Sequence, residues 1–202
     1  MSNSVPDGWK FERIENLTLC LIRDFGSFST TKLIEFLDKG VPFIKSESVK
    51  QGTIDLNNVS FISEEVHQLL DKSYVNPGDI LFTKIGAIGR AALYGGELGI
   101  CNSNAATAKI TINKKKADSQ YITYQLVSER VTREFEKSII STPPRINLGE
   151  INSMKIELPP LPEQKKIAAI LTSVDTVIEK TQAQIDKLKD LSLIHISEPT
   201  RR

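Results

Sequence analysis

The sequence predicts an α+β fold, in which a strand-rich mixed domain is followed by the start of a long coiled-coil helix. Short apolar stretches alternate with turn signals up to Leu158, as in a sheet-containing domain. After Pro162, apolar residues recur at helical spacing among polar ones. The prolines between the two parts mark an abrupt boundary. We therefore divide the chain into a lead-in (1–8), a globular domain (9–158), a C-terminal helical segment (159–190) and a tail (191–202).

Strand signals within the globular domain are short apolar or alternating runs that end at Gly, Pro or Asn. Ordered structure is expected to start at Trp9, after a turn at residues 6–8. The predicted strands are residues 17–22, 41–45, 80–85, 90–94, 106–112 and 153–158.

Helix signals appear in three segments of the domain. Ser63, followed by two glutamates and an apolar rhythm, predicts a short N-capped helix with His67 on its solvent side. Residues 120–137 have an apolar stripe and predict a longer helix. Gly26 and the hydroxyl residues near it indicate a loop, and residues 32–38 indicate one helical turn.

The segment after Pro162 predicts a helix that packs against another helix. Seven residues recur at alternating spacings of four and three, which is typical of a coiled coil. These seam residues are Ile167, Leu171, Val174, Ile178, Thr181, Ile185 and Leu188. A narrow apolar stripe needs a partner, and we expect another helix, from elsewhere in a longer chain or from a second copy of this chain. The alternative is a last helix that lies back on its own domain.

The tail does not continue this pattern. It resembles the translated read-through of a sequencing adapter, so we treat residues 191–202 as an artefact outside the fold. Omitting them takes Arg201 and Arg202 from the 26 basic residues and Glu198 from the 25 acidic ones, which leaves 24 of each. A neutral domain is not expected to hold nucleic acid by bulk charge, so DNA contact requires a local patch or partner subunits.

Signatures of catalysis and metal binding are missing from the sequence. There is no GxxxxGK[ST] loop and no GxGxxG turn after a strand. Cys20 and Cys101 are 81 positions apart and are expected to be reduced and semi-buried. Outside the tail, His67 is the only histidine, so a nucleophile–base pair is not expected. We expect a non-catalytic cytoplasmic chain, with no metal, no cofactor of its own and no membrane span.

Several stretches, in a fixed order from residue 9 to residue 190, resemble one protein family. They are Pro6-Asp-Gly-Trp9, Pro77-Gly-Asp-Ile-Leu-Phe82, Gly86-Ala-Ile-Gly89, Cys101-Asn-Ser-Asn104, Thr142-Pro-Pro-Arg-Ile-Asn-Leu148 and, most specific, Ile156-Glu-Leu-Pro-Pro-Leu-Pro-Glu-Gln164 with Asp175 beyond it. On these motifs the chain resembles the specificity subunit of type I restriction-modification enzymes, and in particular its target-recognition domain.

This resemblance implies a division of labour between subunits. A specificity subunit usually has two target-recognition domains, each recognising half of a split double-stranded DNA site, with spacer helices that form an antiparallel coiled coil. Modification and restriction subunits dock on it and use S-adenosylmethionine, ATP and Mg. This chain departs from the family because it has one recognition domain and the beginning of one spacer helix. We expect a truncated fragment or a half-length subunit that pairs as a dimer.

Base recognition needs polar side chains on loops that reach the edges of bases. Four segments place such groups beside glycine, proline or a strand end. The candidate DNA-binding residues are Lys45, Ser46, Thr83, Lys84, Arg90, Asn102, Ser103, Asn104, Arg145 and Asn147. For the asparagines, the alternative is a role in turn geometry. The run of lysines at 114–116 is outside this set, because such a run between a strand and a helix is more often a solvated turn than a phosphate clamp.

Two other functions are compatible with the sequence. One is the recognition end of a fused methyltransferase–nuclease polypeptide. The other is a coiled-coil interaction protein that does not contact DNA.

Overall fold

The computed structural model describes residues 5–20, 22–23, 32–136 and 144–197. The loop expected around Gly26 lies outside these residues, as do Lys137, Thr142, Pro143 and the last five residues of the tail. The elements in the described part are β1 (Lys10–Arg13), β2 (Val41–Ile44), β3 (Ser60–Ile62), α1 (Glu64–Leu69), β4 (Tyr74–Val75), β5 (Asp79–Thr83), β6 (Ala91–Leu93), β7 (Cys101–Ser103), β8 (Thr107–Thr111), α2 (Ser119–Leu126), α3 (Glu129–Glu136), α4 (Leu148–Ser153), β9 (Lys155–Leu158) and α5 (Leu161–Ser197).

The described strands form three small sheets, which confirms the predicted α+β class. β1 pairs antiparallel with β9, so that Lys10 lies opposite Leu158 and the two ends of the domain meet. A four-stranded sheet has the order β3-β2-β7-β4, in which β2 and β7 run parallel. A three-stranded antiparallel sheet has the order β6-β5-β8.

Strand β5 lies between two hydrophobic cores, and all five of its residues are buried. Ile80 and Phe82 belong to the main core, together with Tyr121 and Ile122 of α2. Leu81 points to the opposite face because side chains alternate along a strand, and it belongs to a second core around the four-stranded sheet. Packing on both faces fixes the direction in which β5 ends, and therefore the position of the loop that follows it.

Two predictions about the first part of the chain were wrong. The described residues within 17–22 form no strand and make only an isolated bridge from Thr18 to Ile112. The apolar run at this place serves the core instead, since Leu17 is buried while Leu19 is 67% exposed. Residues 32–38 form no helix: a turn at residues 32–33 is followed by an isolated bridge, in which the N–H of Leu37 donates to the carbonyl of Phe61 (2.9 Å).

The helices of the domain differ in two ways from the predictions. The N-cap of α1 is confirmed, since Ser63 Oγ accepts a hydrogen bond from the N–H of Val66 (3.2 Å). His67, expected in solvent, stacks on Tyr74 with ring centroids 4.3 Å apart. The helix expected over residues 120–137 is two helices, because Ser128 Oγ accepts from the N–H of Val131 (3.4 Å) and caps a new helix, α3.

The last helix, α5, is 37 residues long and continues to Ser197, beyond the end predicted at residue 190. It begins at Leu161, within the segment predicted over residues 159–190. Within the described parts of the chain, no helix combines the length and the apolar character that crossing a bilayer requires.

Candidate nucleic-acid interface

Backbone hydrogen bonds join four of the predicted loops along one edge of the domain. The loops after β2 and β7 meet where the N–H of Asn104 donates to the carbonyl of Ile44 (3.2 Å). The loop after β5 joins them because the N–H of Lys84 donates to the carbonyl of Ala106 (2.8 Å). The carbonyl of Lys84 in turn accepts from the N–H of Ile146 (2.9 Å), in the segment before α4. Loops from distant parts of the sequence therefore form one continuous surface.

We call this surface the loop edge, and it comprises residues 45–46, 84–90, 104–106 and 144–147. It carries four cationic side chains, Lys45, Lys84, Arg90 and Arg145. Arg145 is exposed, Lys45 and Arg90 are half-buried, and Lys84 is largely enclosed. In a chain of balanced charge, this clustering gives one edge a local positive potential that favours an anionic partner.

The turn at residues 86–89 positions Arg90, and Thr83 closes this turn from inside the protein. Gly86 and Gly89 have φ angles of 77° and 84°, which glycine adopts without strain. Thr83 is fully buried; its Oγ1 donates to the carbonyl of Ala87 (2.5 Å) and accepts from the N–H of Arg90 (3.0 Å). Thr83 therefore supports the turn and has no surface that a duplex could touch, contrary to its predicted role.

Asn102 and Ser103 are also inside the protein, because the segment predicted as a loop is strand β7. The amide of Asn102 donates to the carbonyl of Leu70 (3.1 Å) and to Ser73 Oγ (2.7 Å). Its Oδ1 lies 2.5 Å from Nδ1 of His67, which acts as the donor because Oδ1 only accepts. Asn102 and Ser103 are both 0% exposed. Neither side chain can reach a base edge from these positions, so the structure corrects both assignments.

The two remaining asparagines stabilise turns, as the alternative interpretation holds. Asn147 caps α4: its Oδ1 accepts from the N–H of Glu150 (2.9 Å), and Glu150 Oε2 accepts from the N–H of Asn147 (2.8 Å). Asn104 Oδ1 accepts from Thr107 Oγ1 (2.9 Å). Ser46 Oγ donates to Glu47 Oε2 (3.4 Å). Asn147 is exposed, and Asn104 and Ser46 keep part of their surface exposed, so all three stay in the candidate interface.

The cysteines and acidic groups form no metal site in the described residues, where no three His, Cys, Asp or Glu side chains lie together suitably. The prediction that both cysteines are semi-buried was wrong, since Cys20 is exposed and Cys101 is buried. Burial raises the pKa of the Cys101 thiol to about 12, because a thiolate loses its hydration there.

The joint between the domain and α5 is the second functional feature, and its side chains were not predicted. Gln164 is 1% exposed, its Oε1 accepts from the N–H of Asp118 (2.9 Å), and its Nε2 donates to the carbonyl of Pro159 (2.8 Å). Farther along, the hydroxyl of Tyr124 donates to Asp175 Oδ2 (2.6 Å). Gln164 and Asp175 both lie in motifs on which the family resemblance rests. That resemblance is the sequence signal from which the two residues could have been identified.

The predicted seam of α5 divides into a packed beginning and an exposed remainder. Ile167 packs against the main core, and the neighbouring Ala168 is buried. Beyond them the seam is open: exposure is 37% at Leu171, 59% at Ile178 and 65% at Leu188. Contact with the domain therefore reaches as far as Asp175, whereas the apolar stripe itself is uncovered from Leu171 onward in the single chain.

Known proteins are similar to this chain over 73% to 92% of its length. A family model described as the type I restriction modification DNA specificity domain matches residues 6–190. The type I restriction enzyme MjaVIII specificity subunit of Methanocaldococcus jannaschii is 29% identical over 92% of this chain and 44% of the relative. The type I restriction enzyme EcoBI specificity subunit of Escherichia coli is 24% identical over 73% of this chain and 31% of the relative.

Solved structures share the fold at low sequence identity. A chain from a structural study of complex assembly and conformational transition in the type I R-M system has a TM-score of 0.66 at 20% identity, covering 95% of this chain and 44% of that one. The HsdS subunit from Thermoanaerobacter tengcongensis has a TM-score of 0.61 at 19% identity, covering 91% of this chain and 41% of that one. The chain spans less than half the length of these proteins. Because the family model matches nearly all of it, the chain belongs to the family of type I restriction modification DNA specificity domains.

Proposed function

We propose that this chain provides DNA specificity to a type I restriction-modification enzyme by recognising half of a bipartite double-stranded site. The observation that carries the proposal is the loop edge. Four polar loops meet there, and Lys45, Arg90 and Arg145 expose positive charge in a chain whose formal net charge is only +1. Arg and Lys donate to guanine O6 and N7 and to phosphates, which suits such an edge to duplex DNA.

The exposed seam of α5 supports a scaffold role in the same proposal. A second spacer helix, or the α5 of a second copy, would cover the stripe beyond Leu171. Modification and restriction subunits would dock on this scaffold, perform methylation and cleavage, and supply the sites for S-adenosylmethionine, ATP and Mg. The chain itself would be non-catalytic: His67 is engaged with Asn102, and the thiol of Cys101 is buried. In this proposal, the chain acts on DNA in the cytoplasm.

An exchange of domains tests this proposal. Residues 9–158 are exchanged between this specificity subunit and a relative of different specificity, each variant is expressed with its modification subunit, and methylated sites are mapped across the genome. We expect one half of the methylated sequence to change with the exchanged domain. As a matched control, exchange of residues 161–190 should leave both half-sites unchanged. A methylated sequence that does not respond to exchange of residues 9–158 would overturn the proposal.

A further inference from the structure

Phe36 is an exposed aromatic side chain next to Lys45 of the loop edge. The residue is 51% exposed, and the same segment exposes Leu33 (54%) and Leu37 (42%). Its ring packs edge-on against Phe43 of β2, with centroids 5.6 Å apart at 62°. The ammonium group of Lys45 lies 5.3 Å from the centroid of the ring. The cation therefore lies over an exposed aromatic ring, in a cation–π contact at the surface.

The position of Phe36 follows from contacts on both sides of it in the sequence. The N–H of Leu37 donates to the carbonyl of Phe61 in β3, which ties the segment to the four-stranded sheet. Ile34 packs against the core around Phe43, and so does Ala105, which belongs to the loop edge. The ring is thus continuous with the proposed DNA surface, and Phe43 limits its movement.

The pair of Phe36 and Lys45 matches the chemistry of one base. In the major groove, thymine presents an acceptor, O4, beside an apolar group, the C5-methyl. Guanine presents two acceptors and no methyl group, and adenine presents the acceptor N7 beside an amino group and no methyl group, whereas cytosine presents an amino group that cannot accept from an ammonium. We propose that Phe36 and Lys45 form a thymine-selective contact, in which the ring packs on the C5-methyl group and the Lys45 ammonium donates to O4. This inference rests on the proposed function, since it requires duplex DNA at the loop edge.

The test uses the specificity subunit assembled with its modification subunit. A pool of random-sequence duplexes is first selected by the wild-type complex, which defines the half-site. Each thymine of the selected half-site is then replaced singly by deoxyuridine, which lacks the C5-methyl group, and affinities are measured. The proteins compared are the wild type, Phe36→Ala, Phe36→Leu and the control Leu19→Ala. Leu19 is 67% exposed and lies at the Thr111 end of β8, away from the loop edge.

At one thymine, we expect deoxyuridine to weaken wild-type binding about fourfold, as for one buried methyl group. Phe36→Ala should bind the thymine duplex more weakly by a similar factor and should no longer distinguish thymine from deoxyuridine at that position. Phe36→Leu should keep most of the discrimination, and Leu19→Ala should keep all of it. If the Phe36→Ala complex still distinguishes the two bases at every thymine, or if the half-site contains no thymine, this inference is overturned while the proposed function stands. If the wild type selects no sequence, the proposed function fails as well.

Discussion

Oε1 of Gln164 accepts a 2.9 Å hydrogen bond from the backbone N–H of Asp118, which joins the first turn of α5 to the N-cap of α2. Asp118 also caps α2 by accepting from the N–H of Tyr121. The direction in which the long helix leaves the domain is therefore set by buried hydrogen bonds inside the domain. A spacer helix needs this property if it is to hold a DNA-recognition domain at a fixed position.

Replacement of Gln164 by alanine should destabilise the domain. The change leaves the N–H of Asp118 and the carbonyl of Pro159 without the partners they have now, and each buried orphan costs about 1–3 kcal/mol. We expect a loss of about 3 kcal/mol in the free energy of unfolding, measured by urea denaturation. Gln182→Ala, on the exposed part of α5, should change the free energy of unfolding by less than about 0.5 kcal/mol. Equal effects of the two substitutions would show that the joint does not depend on Gln164.

Alkaline pH should weaken the fold through buried tyrosines. Burial raises the pKa of Tyr94 to about 12 from its ordinary 10.0, and its hydroxyl donates to the carbonyl of Gly99 (2.7 Å). Since the folded pKa is the higher one, this stabilisation is fully present below pH 10 and is lost as the pH rises toward 12. Absorbance titration of tyrosinate should show a component near pH 12 that Tyr94→Phe removes. Titration of all four tyrosines near pH 10 would contradict this assignment.

The exposed seam should make the isolated chain associate with itself. Val174 and Ile178 are 50% and 59% exposed, and packing them in a helix pair removes apolar surface from water. We expect sedimentation velocity to show a monomer–dimer equilibrium that shifts with protein concentration. Ile178→Glu, which puts a charge in the seam, should shift it toward the monomer, whereas Glu179→Gln beside the seam should not. A wild-type chain that stays monomeric at all loading concentrations would argue that α5 needs a different partner.

The sequence predicted elements whose signals are local and missed those that depend on distant residues. The cap at Ser63 was predicted correctly because a capping signal is contained in four neighbouring residues. Strand β1 was missed because Lys10–Arg13 has weak strand propensity and exists by pairing with β9, far along the chain.

The candidate site shows the same difference between features with local sequence signals and features that depend on distant residues. Polar residues at chain turns were found from the sequence, and four of the loops do meet. Burial of Asn102 was not predicted, because it follows from the packing of β7 between β2 and β4, which comes from other parts of the chain. Phe36 was not selected because an apolar residue in one sequence is expected in the core, and only the structure shows its ring in solvent.

The central claim, that the loop edge recognises DNA, is tested most directly by removing one cation from it. Arg145→Ala should weaken binding of the assembled complex to its selected duplex by about 5- to 150-fold, and should relax specificity at one base pair if Arg145 contacts a base. Lys115→Ala removes an equal charge from the turn at the far end of β8 and should leave affinity and specificity nearly unchanged. Equal, small effects of the two substitutions on affinity, with no change in the selected sequence, would contradict the account.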